Sequence, residues 1–125
     1  MRVFAFCVLV VMLSGCGQAD PPLSGGKPVS HWLAALQDPD PKCRQKAVTK
    51  LGNVGATDAA VYPALVEALK DADASVRREA ILALMKCGDH AKEAIPLLTD
   101  VQRQDRDSQV RAFAAKALEK LQAAK

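Results

Sequence analysis

One phrase occurs three times along this chain. Asp38, Asp40, Cys43, Arg44, Ala47 and Leu51 fall at the same mutual spacing as Asp71, Asp73, Val76, Arg77, Ala80 and Leu84, and again as Asp105, Asp107, Val110, Arg111, Ala114 and Leu118. Successive copies lie 33 and 34 residues apart. A unit of that length cannot bury its own apolar face, so copies must stack on one another, and this period predicts an all-α array of helical hairpins. Such an array offers an extended surface rather than an enclosed pocket.

Each copy carries one apolar stripe. Val76, Ala80, Ala83, Leu84 and Cys87 follow i, i+4, i+7, i+8 and i+11, the spacing of a single helix face. Val110, Ala114, Ala117, Leu118 and Leu121 repeat it, whereas the first copy keeps Cys43, Ala47, Leu51 and Val54 but has Lys50 in place of an alanine. A shorter apolar segment precedes each stripe: Trp32, Leu33 and Leu36, then Leu65, Val66 and Leu69, then Ile95, Leu98 and Val101. Each unit is therefore expected to be a helix, a tight turn and a second helix. The middle stripe helix also has Ile81, Leu82 and Met85 on its other faces, as a helix between two neighbours requires.

The turns carry matching chemistry. Asp40, Asp73 and Asp107 stand where a side-chain oxygen can cap the second helix, and Pro41 falls at a first helical position, where a missing N–H costs little. Gly55 and Gly88 are equivalent and should take left-handed positions after the second helix. Pro63 and Pro96 should start or kink the first helix of repeats two and three. Asp89 is read as a cap for the helix that follows it.

The triplicate D-x-D-x-x-V-R-x-x-A-x-x-x-L pattern resembles the HEAT-repeat family, in particular the short bacterial HEAT-like repeats grouped with phycobilisome lyase subunits. The resemblance covers about Val29 to Leu121 and implies a short right-handed α-solenoid of three hairpins, at about 29–55, 56–88 and 89–122. It also implies that turn aspartates and helix arginines link neighbouring repeats, which here involves Asp71, Asp105, Arg44, Arg77 and Arg111.

The amino-terminal end has a different character. Arg2 precedes the apolar run Val3 to Leu13, and Leu13-Ser14-Gly15-Cys16 follows. That order of charge, apolar stretch and small residues reads as an export signal, too short for the ~20 residues that span a bilayer. It resembles a bacterial lipoprotein signal, which implies removal of residues 1–15, lipidation of Cys16 with palmitate-like acyl chains, and attachment to the outer face of a membrane. Two or more acyl chains give a stable anchor. Residues 16–28, rich in Pro, Gly and Ser, read as a flexible tether holding the folded part roughly 18 Å from the anchor on average.

Loss of residues 1–15 would leave 110 residues with a net charge of +2, enough for one domain and too near neutrality to argue for nucleic acid. Cys43 and Cys87 differ by about 11 residues in axial register, roughly 16 Å along parallel helices, too far apart for a mutual disulfide. Both are read as buried thiols. Only His31 and His90 are present, and Cys87-Gly88-Asp89-His90 offers two ligands where zinc needs three or four. No Gly-rich phosphate loop or nucleophile elbow occurs. No catalytic residue, metal or cofactor is therefore expected, and the chain is read as a monomeric, non-enzymatic module for an unidentified protein partner.

Its binding face is expected on the second helices, at Leu82, Met85 and Phe113 with Arg78, Lys86 and Lys116. Phe113 is the most irregular of these, since its register counterparts are Lys46 and Glu79. Two alternatives stand beside this reading. One is an accessory subunit like the phycobilisome lyase HEAT-like proteins; the other is anion or nucleic-acid binding along a basic ridge of Lys42, Lys46, Lys50, Arg78, Lys86, Lys116 and Lys120.

Overall fold

The computed structural model describes residues 26–124. The export signal, Cys16 and most of the expected tether lie outside the described residues. Six α-helices follow in order: α1 (Val29–Ala35), α2 (Pro41–Val54), α3 (Val61–Ala68), α4 (Ala74–Met85), α5 (Ile95–Gln104) and α6 (Ser108–Ala123). The described residues contain no strand, and the helices pair into a short α-solenoid.

The turn residues set the pairing. Asp40 Oδ1 accepts the Lys42 N–H at 2.9 Å, Asp73 accepts those of Ser75 and Val76, and Asp107 accepts those of Gln109 and Val110. Each satisfies donors that the first turn of a helix leaves open. Pro41 is the first residue of α2, Pro96 the second of α5 and Pro63 the third of α3, so each proline sits where it removes no helical hydrogen bond. Gly55 and Gly88 adopt φ of +62° and +59°.

The links between hairpins differ from expectation. Gly55–Thr57 and Gly88–Ala94 are 3-10 segments leading into α3 and α5. Asp89 lies within the second of them, and α5 begins after Ala94 with no side-chain cap. Asp89 is therefore not the helix cap its position suggests.

The core runs through the array as one continuous cluster. Ala47, Val48 and Leu51 of α2, Val76, Ala80, Ile81 and Leu84 of α4, and Val110 and Ala114 of α6 are fully buried, packed with Val61 and Leu65 of α3 and Leu98 of α5. Burial of one such side chain contributes about 1.5–3 kcal/mol. Lys50 is exposed because it lies on the side of α2 away from α4. Cys87 is a buried free thiol. Cys43 is also buried, and it is disulfide-bonded, which corrects its reading as a free thiol.

Candidate functional site

The second helices are held in register by arginine–aspartate forks. Arg77 donates from Nε and Nη2 to the Asp105 carboxylate at 2.9 and 3.1 Å, and from Nη1 to the carbonyls of Asp71 and Ala72 at 2.8 and 3.1 Å. Arg44 makes the same set one repeat earlier, to the Asp71 carboxylate and to the carbonyls of Asp38 and Pro39. Asp71 and Asp105 each accept in addition the N–H two residues onward. One guanidinium thus ties its own turn to the next, and its planar fork matches a carboxylate as no ammonium could. The hydrogen bond from Arg44 to Asp71 raises the Arg44 pKa above its ordinary value, against the opposing effect of burial.

Arg111 departs from this pattern. Its Nη1 donates to the Asp105 carbonyl at 2.6 Å, and among the described residues no aspartate of a further turn meets its remaining edge.

Further along α4 and α6 the surface opens into a cleft of about 240 Å³ lined by Ile81, Leu82, Met85, Phe113, Lys116, Ala117 and Lys120. Ile81 and Ala117 are buried and form its floor, Met85 and Phe113 are half-buried, and Leu82 is 42% exposed, the most open large apolar side chain among the described residues. The Arg78 guanidinium lies 5.9 Å from the centre of the Phe113 ring, within cation–π range. Gln109 Oε1 at 2.7 Å and Ser75 Oγ at 3.2 Å hold it there.

Four of the six residues expected on the binding face, Leu82, Met85, Phe113 and Lys116, therefore line one cleft, and Arg78 covers the Phe113 ring. Lys86 lies elsewhere, its ammonium donating to Asn53 Oδ1 of α2 at 3.0 Å. Lys120 is the lining residue that the sequence placed only on the general basic ridge. Its i+4 spacing from Lys116 was the available signal.

The ridge itself is interrupted. Thr49 donates to Glu79 at 2.8 Å between α2 and α4, and Lys46 lies 6.0 Å from the Trp32 ring centre. On the opposite side, between α3 and α5, Val66, Leu97 and Val101 line a shallower depression whose charges, Lys70, Asp100 and Asp105, are of both signs.

His90 and Glu93 are within 3.1 Å of each other, and the Tyr62 ring lies 5.7 Å from that of His90. Burial, then Glu93 and Cys87, raises the Tyr62 pKa. Burial likewise raises that of Cys87, whose sulfur is turned inward to the Ala83 carbonyl. No group of three metal-binding side chains converges among the described residues.

The hairpin stack and its arginine–aspartate forks define an α-solenoid repeat protein. The family model for HEAT repeats matches residues 29–121, and the chain belongs to that family. Among solved structures it is similar to a chain of the complex of CpcE and CpcF of phycocyanin lyase from Nostoc sp. PCC7120, with 30% identity and a TM-score of 0.65. The likeness covers 83% of this chain and 41% of that one, so this chain spans less than half the length of that relative. No curated protein matches the chain.

Proposed function

We propose that this chain is a non-catalytic interaction module, tethered to the outer face of a bacterial membrane through lipidated Cys16, that binds a protein partner on the α4–α6 face. One observation carries the reading: an apolar cleft with a 42%-exposed leucine at its lip is left open between α4 and α6. Exposed apolar recesses bordered by charge are characteristic of protein contact sites. Crosslinking in the native host tests it. A partner captured by wild type should be lost on Leu82→Glu, a change at an exposed position that leaves folding intact; an unchanged set of crosslinks would remove this face.

The anchor is tested separately. Cys16→Ala should move the protein out of the membrane fraction, and continued retention there would argue against lipidation. No described helix is long and apolar enough to cross a membrane.

A second reading, an accessory subunit of lyase type, is supported by the likeness to the CpcE–CpcF complex. It predicts that this chain works only with a second HEAT-repeat chain. Co-expression with candidate HEAT-repeat chains, followed by absorbance of the purified assembly for bound pigment, decides between the two readings.

A further inference from the structure

We infer that the α4–α6 cleft receives one apolar side chain of an acidic amphipathic helix, with carboxylates on that helix pairing with Lys116 and Lys120. The inference rests on the reading of this face as a contact surface and adds the chemistry of the occupant.

Size comes first. At about 240 Å³ the cleft falls below the ~300–1,000 Å³ of small-molecule sites. Its floor of Ile81 and Ala117, with Met85, Phe113 and Leu82 around it, suits a single branched or aromatic side chain offered from outside.

Charge selects what surrounds that side chain. Lys116 and Lys120 are exposed on the lining, and Arg78 adds a third cation over Phe113. No carboxylate lines the cleft: Glu79, the one acid of α4, is engaged by Thr49, and Glu119, the one acid of α6, is not among the lining residues. An apolar or basic occupant would leave the two ammonium groups without counter-charge, whereas acidic side chains answer both.

Spacing selects the secondary structure. Lys116 and Lys120 are one turn apart on α6, and carboxylates four residues apart on a helix lying alongside present the same interval. An anionic lipid surface shares the charge but not the shape. A membrane-binding face needs a broad, protruding apolar band, and here only Leu82 stands clear of the surface while Met85 and Phe113 are recessed.

The probe is a fluorescein-labelled helical peptide of Ala and Glu, with one Leu and, on the same face, Glu three and seven residues after it, so that the two carboxylates are four residues apart, titrated with the full chain in detergent. Saturable anisotropy is expected, weakened about tenfold by Leu82→Glu or by Lys116→Glu/Lys120→Glu, the scale of turning two exposed ion pairs into repulsions. Replacing Glu by Gln, or Leu by Ala, in the peptide should weaken binding similarly. A peptide with Lys for Glu should recover binding to the double charge-reversed chain. Absence of saturable binding, or equal binding of the Gln peptide, would overturn the inference. So would phosphatidylglycerol vesicles binding through the same lysines while the peptide does not bind. If the peptide fails but host crosslinks still disappear on Leu82→Glu, the contact surface stands and the acidic helix is rejected. If the crosslinks are indifferent to Leu82→Glu, the surface itself is rejected.

Discussion

At the scale of single residues the sharpest consequence concerns Arg77, whose side chain is 6% exposed and whose fork partner Asp105 is 8% exposed. Asp105→Ala would leave that guanidinium buried without counter-charge and free the Asp107 N–H, and stripping one partner from a buried pair costs about 3–5 kcal/mol. Asp71→Ala should cost less, since Arg44 and Asp71 are 16% and 15% exposed and water can replace part of the lost contact. Arg111→Ala removes one carbonyl contact and should stay within about 1 kcal/mol. Urea melts of the three variants check the order, and an Asp105→Ala loss no larger than that of Arg111→Ala would contradict it. The pH response belongs here too. Asp107 has a lowered pKa, chiefly through the Val110 N–H, with Gln109, Arg78 and Arg77 assisting and burial opposing. A carboxylate more acidic in the folded state contributes stability above the usual aspartate range and withdraws it as pH falls through the lowered native value. Asp107→Asn retains a capping oxygen, so stability measured from pH 5 down to about 2 should fall less steeply in the variant than in the wild type.

At the scale of elements, the contact between α2 and α4 depends on the absence of a side chain. A Cβ at Gly52 would lie 2.7 Å from Ala83 Cβ and 3.0 Å from its Cα, so the two helices could not keep their approach. Gly52→Ala gains about 1 kcal/mol of helix propensity and incurs about 1–3 kcal/mol of overpacking. A net loss of stability by thermal or urea unfolding is expected, and a stabilised variant would mean the helices can separate freely. The sequence carries no sign of this contact at Gly52, because the interval between neighbouring helices is not written in either one alone. The caps and forks were legible on other grounds. Asp73 and Asp107 stand three residues before the first core position of their own helix, which marks the caps, and the links of Arg44 to Asp71 and Arg77 to Asp105 were implied by the resemblance to HEAT repeats. The 3-10 links were illegible because Gly55–Thr57 and Gly88–Ala94 carry no apolar period, and Asp89 there imitates a cap. For the cleft, Leu82, Met85 and Phe113 could be picked out as off-stripe apolar residues, but whether α6 covers them depends on the tilt of two helices. Lys120 joins them only once that tilt is set.

At the scale of the whole molecule, the forks raise the question of whether copies could continue the array head to tail, Arg111 of one meeting Asp38 of the next. The repeat register answers it residue by residue. In such a stack Lys116 would take the place of Thr49 and Lys46 that of Glu79, turning a 2.8 Å hydrogen bond into two facing ammonium groups. Glu119 would take the place of Gly52 and Lys50 that of Ala83, putting two long side chains at the position where α2 and α4 are too close for one extra carbon. One new fork does not offset both, because the attraction within a buried ion pair does little more than repay its desolvation, while overpacking a contact costs about 1–3 kcal/mol. The anchor-free Cys16→Ala chain should therefore keep a monomer mass in light scattering as its concentration rises. The same register specifies the reverse. Combining Lys116→Thr with Lys46→Glu, and Glu119→Gly with Lys50→Ala, rebuilds the internal contact at both outer faces, and mass should then grow with concentration toward open, head-to-tail oligomers. Growth in the unmodified faces, or a strictly monomeric quadruple variant, would show that something other than these two positions decides where the stack stops.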